Sequence, residues 1–118
     1  MKSAKPSDPV TTRPLYQLKA EFFKTLGHPV RIRTLELLSV REHAVADLLR
    51  EIDLEPAALS QQLGVLRRAG LVRTRRVGSS VHYSLAHPQV AELLAVARAI
   101  LSEVLSGQVE LLGDLRSH

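Results

Sequence analysis

Cysteine is absent from the 118 residues, which removes disulfides, thiolate metal sites and thiol redox switches together. Aromatic residues make up only 3% of the chain. No apolar run approaches the ~18 residues of a membrane span, and the N-terminal residues lack a hydrophobic segment of the signal-peptide type; the expected location is cytoplasmic, with no membrane partner. A third absence is local. From Pro56 to Ala91 there is no Asp or Glu, while Arg67, Arg68, Arg73, Arg75 and Arg76 all fall there. That block carries +5, and the remaining eleven basic residues face all twelve acids, a formal −1, within a total of +4. Positive charge is therefore focused on one stretch, as a phosphate-binding footprint requires. A catalytic constellation is missing too. There is no Gly-rich phosphate loop and no Ser nucleophile with a convincing His and acid partner, and a chain of this length leaves little room for a deep pocket; no enzyme is expected.

What is present in the acid-free stretch is a helix pattern followed by a strand pattern. Leu59, Leu63 and Leu66 stand at i, i+4 and i+7 and share one stripe, which must face a core. Across the helix lie Ala57, Gln61, Gly64 and Arg68, with Ser60 and Arg67 at the shoulders. Small residues keep such a face low, and hydroxyl and amide groups both donate and accept, as base edges in a major groove require. The same residues also fit a plainer arrangement, with Gly64 packing a neighbouring helix and the polar groups solvated. Gly70 stands where a left-handed residue would end the helix. Leu71 to Val77 then reads as a strand carrying Arg73, Arg75 and Arg76; Gly78, Ser79 and Ser80 make a tight turn; and Val81, Tyr83 and Leu85 alternate with His82 and Ser84 as a half-buried strand should. A helix followed by a basic hairpin is the winged arrangement, in which the arginines hold phosphates on either side of the groove.

The rest of the chain supplies support for that unit. Residues 1–14 hold Pro6, Pro9 and Pro14 among Ser and Thr, a composition that resists helix and reads as a disordered, slightly basic arm. Leu15, Leu18, Phe22 and Leu26 form one helical face with Phe23 beside it, so both phenylalanines sit in a first helix that ends at Gly27 and offers a core or interface anchor. Pro29 opens a second helix, with Val30, Leu35, Leu37 and Leu38 apolar and Arg31 and Arg33 near its start. Glu42 and His43 read as a short loop, and Val45, Leu48, Leu49 and Ile52 as a third helix preceding the stretch above. That order is helix-turn-helix. Pro88 opens the last helix, whose apolar positions recur from Val90 to Leu112, more than the edge of one small domain uses, and Gly107 is a potential break. The expected fold is mainly α with a small β-hairpin wing, a dimeric winged helix-turn-helix over residues 15–106, followed by a C-terminal extension over 107–118.

Three stretches carry a resemblance: His28-Pro-Val-Arg-Ile-Arg-Thr-Leu-Glu-Leu-Leu38, Leu59-Ser-Gln-Gln-Leu63 with Leu66-Arg-Arg-Ala-Gly-Leu-Val72, and Arg75-Arg-Val-Gly-Ser-Ser-Val-His-Tyr-Ser-Leu85. Through them the chain resembles the ArsR/SmtB family of bacterial winged helix-turn-helix repressors, from about Leu15 to Leu105. The resemblance implies a homodimer, formed by the first and last helices, that binds an inverted-repeat operator in double-stranded DNA and releases it when an effector binds. It places base-reading positions on Ala57, Ser60 and Gln61, and wing contacts on Arg75, Arg76 and the Gly78 turn. The family's thiolate pair falls on Ala44 and Ala46, which ligate nothing. Its other metal site falls on His87, Gln89, Ile100 and Glu103, of which only His87 and Glu103 are capable ligands, so weak Ni or Zn binding is the most that the resemblance implies. His28, His43 and His82 read as structural or solvated. The competing reading is a winged-helix protein-interaction module without sequence-specific DNA binding. Ionic strength separates the two, because phosphate contacts weaken steeply with salt and an apolar interface does not.

Overall fold

The computed structural model describes residues 12–117, and the side chains of 12–114. Most of the expected N-terminal arm, residues 1–11, lies outside the described residues. Helix α1 (Leu15–Leu26) leads into α2 (Pro29–Val40), followed by strand β1 (His43–Ala44), helices α3 (Val45–Glu51) and α4 (Pro56–Arg68), strands β2 (Val72–Val77) and β3 (Ser80–Leu85), and the 29-residue helix α5 (Gln89–Ser117). The three strands form one antiparallel sheet in the order β1-β3-β2.

Leucine spacing explains why these helices share one core. Leu59, Leu63 and Leu66 of α4 are buried together with Leu35 and Leu38 of α2 and Leu48 of α3, so three helices each turn one stripe inward and no long apolar run is needed. Thr34 is fully buried among them. Its hydroxyl donates to the Val30 carbonyl at 2.7 Å, which satisfies a polar group that burial would otherwise penalise. The start of α2 is capped as well: the His28 ring nitrogen Nδ1 accepts from the Val30 N–H, and Pro29 occupies the first helical position, where its missing N–H costs nothing.

The end of α4 is where helix becomes wing. Gly70 takes φ 78°, its N–H donates to the Arg67 carbonyl, and the Leu71 N–H donates to the Leu66 carbonyl at 3.0 Å. Those two bonds form a Schellman cap. Leu71 is buried in the same cluster as Leu66, which turns the chain from α4 into β2. Gly27 ends α1 differently, with φ −78° and an N–H bond to the Lys24 carbonyl, and no left-handed residue is involved.

Three expectations are corrected. His43 is not in a loop. It pairs with Tyr83 in the third strand of the sheet, is buried, and its ring Nδ1–H donates to the Arg41 carbonyl at 2.8 Å. Pro88 precedes the last helix by one residue, since α5 begins at Gln89. Gly107 does not break α5, which continues through it to Ser117; a single glycine costs a helix only ~1 kcal/mol, less than the surrounding helix-forming residues supply.

Candidate nucleic-acid interface

Helix α3 and helix α4 are joined by a turn over residues 52–55, and the buried stripe of α4 fixes which side of it faces outward. Ala57, Ser60, Gln61, Arg67 and Arg68 are all exposed. A Cβ built at Gly64, which is half-buried, would meet the Arg68 guanidinium of the same helix first, at 3.1 Å. The rest of the face that sequence patterning singled out, Ala57, Gln61 and Arg68, is exposed.

Arg31 connects that helix to the rest of the fold. From α2 its Nε donates to the Gln62 side-chain carbonyl at 2.8 Å, and its Nη1 donates to the Thr25 carbonyl at 3.1 Å. One guanidinium therefore ties the end of α1 to the middle of α4. Gln62 is held from behind, while the adjacent Gln61 stays exposed.

The wing is a two-residue hairpin. Val77 pairs with Ser80, leaving Gly78 and Ser79 as the turn, with left-handed backbone only at Gly78, φ 61°, the pattern of a II′ turn. Strand alternation then divides the arginines. Val72, Thr74 and Arg76 share one face and Arg73, Arg75 and Val77 the other. Cross-strand pairing sets Arg75 beside His82 and Arg76 beside Val81. Arg73, Arg75, Arg76, Gly78 and Ser79 are all exposed, but they cannot address one flat surface together. Arg75 and Arg76 project from opposite faces of the wing.

Sequence patterning missed Glu42. Its carboxylate accepts two bonds from Arg75, from Nε to Oε2 and from Nη2 to Oε1, both 2.7 Å, and His82 Nδ1 lies 3.7 Å from the same Oε1. The fork with Arg75 holds the Glu42 carboxyl below its ordinary range, and the same contact raises Arg75 further. The signal that would have located Glu42 is β1, and two residues are too few to show a strand period.

His87, two residues before α5, and Glu103, midway along it, are both exposed. With about 1.5 Å of rise per residue, the start of α5 and Glu103 are roughly 20 Å apart, so one chain cannot bring them to a common ion. Among the described residues no three His, Asp or Glu side chains cluster as a metal shell. His87 instead lines an open 460 Å³ cavity with Phe22, Leu71, Gln89, Val90 and Leu93.

A sequence description of bacterial regulatory proteins of the arsR family matches residues 28–74, from the cap of α2 into β2. The HTH-type transcriptional regulator Rv0081 of Mycobacterium tuberculosis is 60% identical over 107 residues, which cover 90% of this chain and 94% of that protein. This chain belongs to the ArsR family. The crystal structure of the M. tuberculosis regulator superposes with a TM-score of 0.77 at 61% identity, over 82% of this chain and 98% of the other. The transcriptional repressor BigR from Xylella fastidiosa gives a TM-score of 0.68 at 38% identity, covering 72% of this chain and 87% of that one. A homodimeric winged helix-turn-helix DNA-binding domain from Mycobacterium bovis gives 0.68 at 27% identity, covering 87% and 92%. The ArsR assignment agrees with the winged helix-turn-helix read from the coordinates, and the family is one of transcriptional regulators. No described helix is long and apolar enough to cross a membrane.

Proposed function

We propose that this ArsR-family chain is a sequence-specific transcriptional repressor that binds an inverted-repeat operator as a homodimer. The observation that supports the reading is the outer face of α4, where Ala57, Ser60 and Gln61 are exposed, followed by a hairpin that carries three exposed arginines and no Asp or Glu of its own. Such a helix lies in the major groove, with Ser60 and Gln61 offering hydrogen bonds to base edges while Arg67, Arg68, Arg73, Arg75, Arg76 and the Gly78–Ser79 turn contact phosphates. Two copies are needed because one reading helix makes too few contacts for specific binding. Two-fold symmetry then sets the half-sites a whole number of helical turns apart.

Gln61→Ala and Arg75→Ala test the division of labour. Gln61→Ala is expected to weaken binding at particular operator positions by about 1–3 kcal/mol. Arg75→Ala is expected to weaken binding to all sequences alike and to flatten its salt dependence. Uniform effects of both changes on specific and random DNA would contradict α4 as the reading helix.

The donor set does not fit a metal sensor of the thiolate type, because Ala44 and Ala46 stand where the ligands would have to be. Ni or Zn is expected to bind weakly at most, through His87 and Glu103 of the partner subunit. A two-ligand remnant completed by water discriminates poorly between conformations and so shifts a DNA equilibrium little. Calorimetry with each ion, followed by operator binding with the ion present, checks this; tight stoichiometric binding that releases DNA would contradict it.

A further inference from the structure

The wing's formal charge overstates what it can offer to DNA, because one of its arginines is already neutralised. Strand β1 runs along β3 on the side away from β2, with Ala44 opposite His82 and His82 opposite Arg75. Neighbouring strands lie about 4.8 Å apart and residues two apart share a face, so Glu42, continuing β1 by one residue, reaches across β3 onto the face that carries Arg75. Both side chains are long enough to close that gap, and they do so with two parallel 2.7 Å bonds. A fork of this kind uses the geometry with which an arginine would grip a phosphate.

We infer that Glu42 is a positioning residue that withholds Arg75 from the DNA backbone, so that the wing closes on phosphates only when DNA displaces the carboxylate. This rests on the DNA-binding reading above and extends it to a residue outside α4 and the hairpin. Arg75 remains largely exposed, at 63% of its side chain, whereas Glu42 is the more enclosed partner at 29%. The arginine is therefore the member free to swing away. The carboxylate stays where it would meet an approaching phosphate with like charge. His82, 3.7 Å from Glu42, is the remaining ring on this face and the nearest second partner for the acid when Arg75 departs. Counterion release follows the charge a protein brings to the phosphates, and Arg75 brings its charge only once the fork with Glu42 has opened.

The test uses the full chain as wild type, Glu42→Gln, Arg75→Ala and the double variant. Each is titrated across a salt series against a duplex from the gene's own upstream region and against a shuffled duplex. Glutamine keeps the length of Glu42 and one accepting oxygen at this half-buried position, so the fold is expected to be retained, and a thermal melt checks it. Glu42→Gln is expected to tighten binding to both duplexes by roughly 2- to 5-fold, because Arg75 no longer has to be drawn off a carboxylate. In the Arg75→Ala background the same change is expected to have a distinctly smaller effect. Unchanged or weakened binding by Glu42→Gln, or an equal gain with and without Arg75, overturns the inference. A wild type that binds neither duplex removes the DNA-binding reading and this one with it, whereas wild-type binding that Glu42→Gln fails to strengthen overturns this one alone.

Discussion

Glu42 and Arg75 stand 33 residues apart, and nothing in hydrophobic period, turn chemistry or charge run links them; only the β1–β3 pairing brings them together. The pairing has a titration signature. The fork with Arg75 lowers the Glu42 carboxyl from its ordinary value near 4.5. A depressed acid contributes its anchoring fully above that ordinary value and loses it as pH falls through the lowered one. NMR titration of Glu42 is therefore expected to give a midpoint below 4.5, returning upward in Arg75→Ala; an ordinary midpoint indifferent to Arg75 would contradict the fork. Other residues were legible beforehand because their reasons are local. Ser60 and Gln61 could be placed outward from the positions of Leu59, Leu63 and Leu66 alone, and they are exposed as that stripe dictates. Arg73, Arg75 and Arg76 could be assigned to the wing from composition, yet their separation onto two faces needed the observed register. His43 was misread because burial of a histidine depends on the strand it joins, not on its neighbours in sequence.

Helix boundaries were legible where a residue imposes them physically. Pro29 and Pro56 preset the backbone at the first positions of α2 and α4, and Gly70 supplies the left-handed step out of α4. Gly107 was misleading because a glycine limits a helix only where the backbone must turn, and α5 has no such demand there. Two substitutions separate these cases. Gly70→Ala puts a Cβ at φ 78° and is expected to destabilise the fold by about 1–2 kcal/mol. Gly107→Ala, with open space around it, is expected to stabilise by about 0.5–1 kcal/mol. Thermal and urea unfolding of both variants provides the comparison, and the same sign for both would contradict the conformational reason assigned to each glycine. Leu63→Ala, at a fully packed position of the α4 stripe, is expected to cost about 2–5 kcal/mol.

Among the described residues, α5 is packed on the core only at its start. From Ala95 to Asp114 every residue of α5 is exposed, including Val96, Ile100, Leu101, Val104 and Leu105, and on α1 Phe23 is exposed beside Phe22. Apolar surface of this extent on two elements suits a second copy of the chain. Light scattering at micromolar concentration is expected to give twice the 13.0 kDa chain mass, and Leu101→Glu is expected to give monomers that no longer bind DNA specifically; a wild-type monomer would contradict the paired-wing arrangement. The decisive measurement is equilibrium binding of the full chain to its own upstream duplex and to a shuffled duplex of equal length, across a salt series. The fold and the charge of α4 and the wing predict a preference of about 10³-fold or more for the specific duplex, with affinity for both falling steeply as salt rises. Equal affinity for the two duplexes, or binding indifferent to salt, would contradict it.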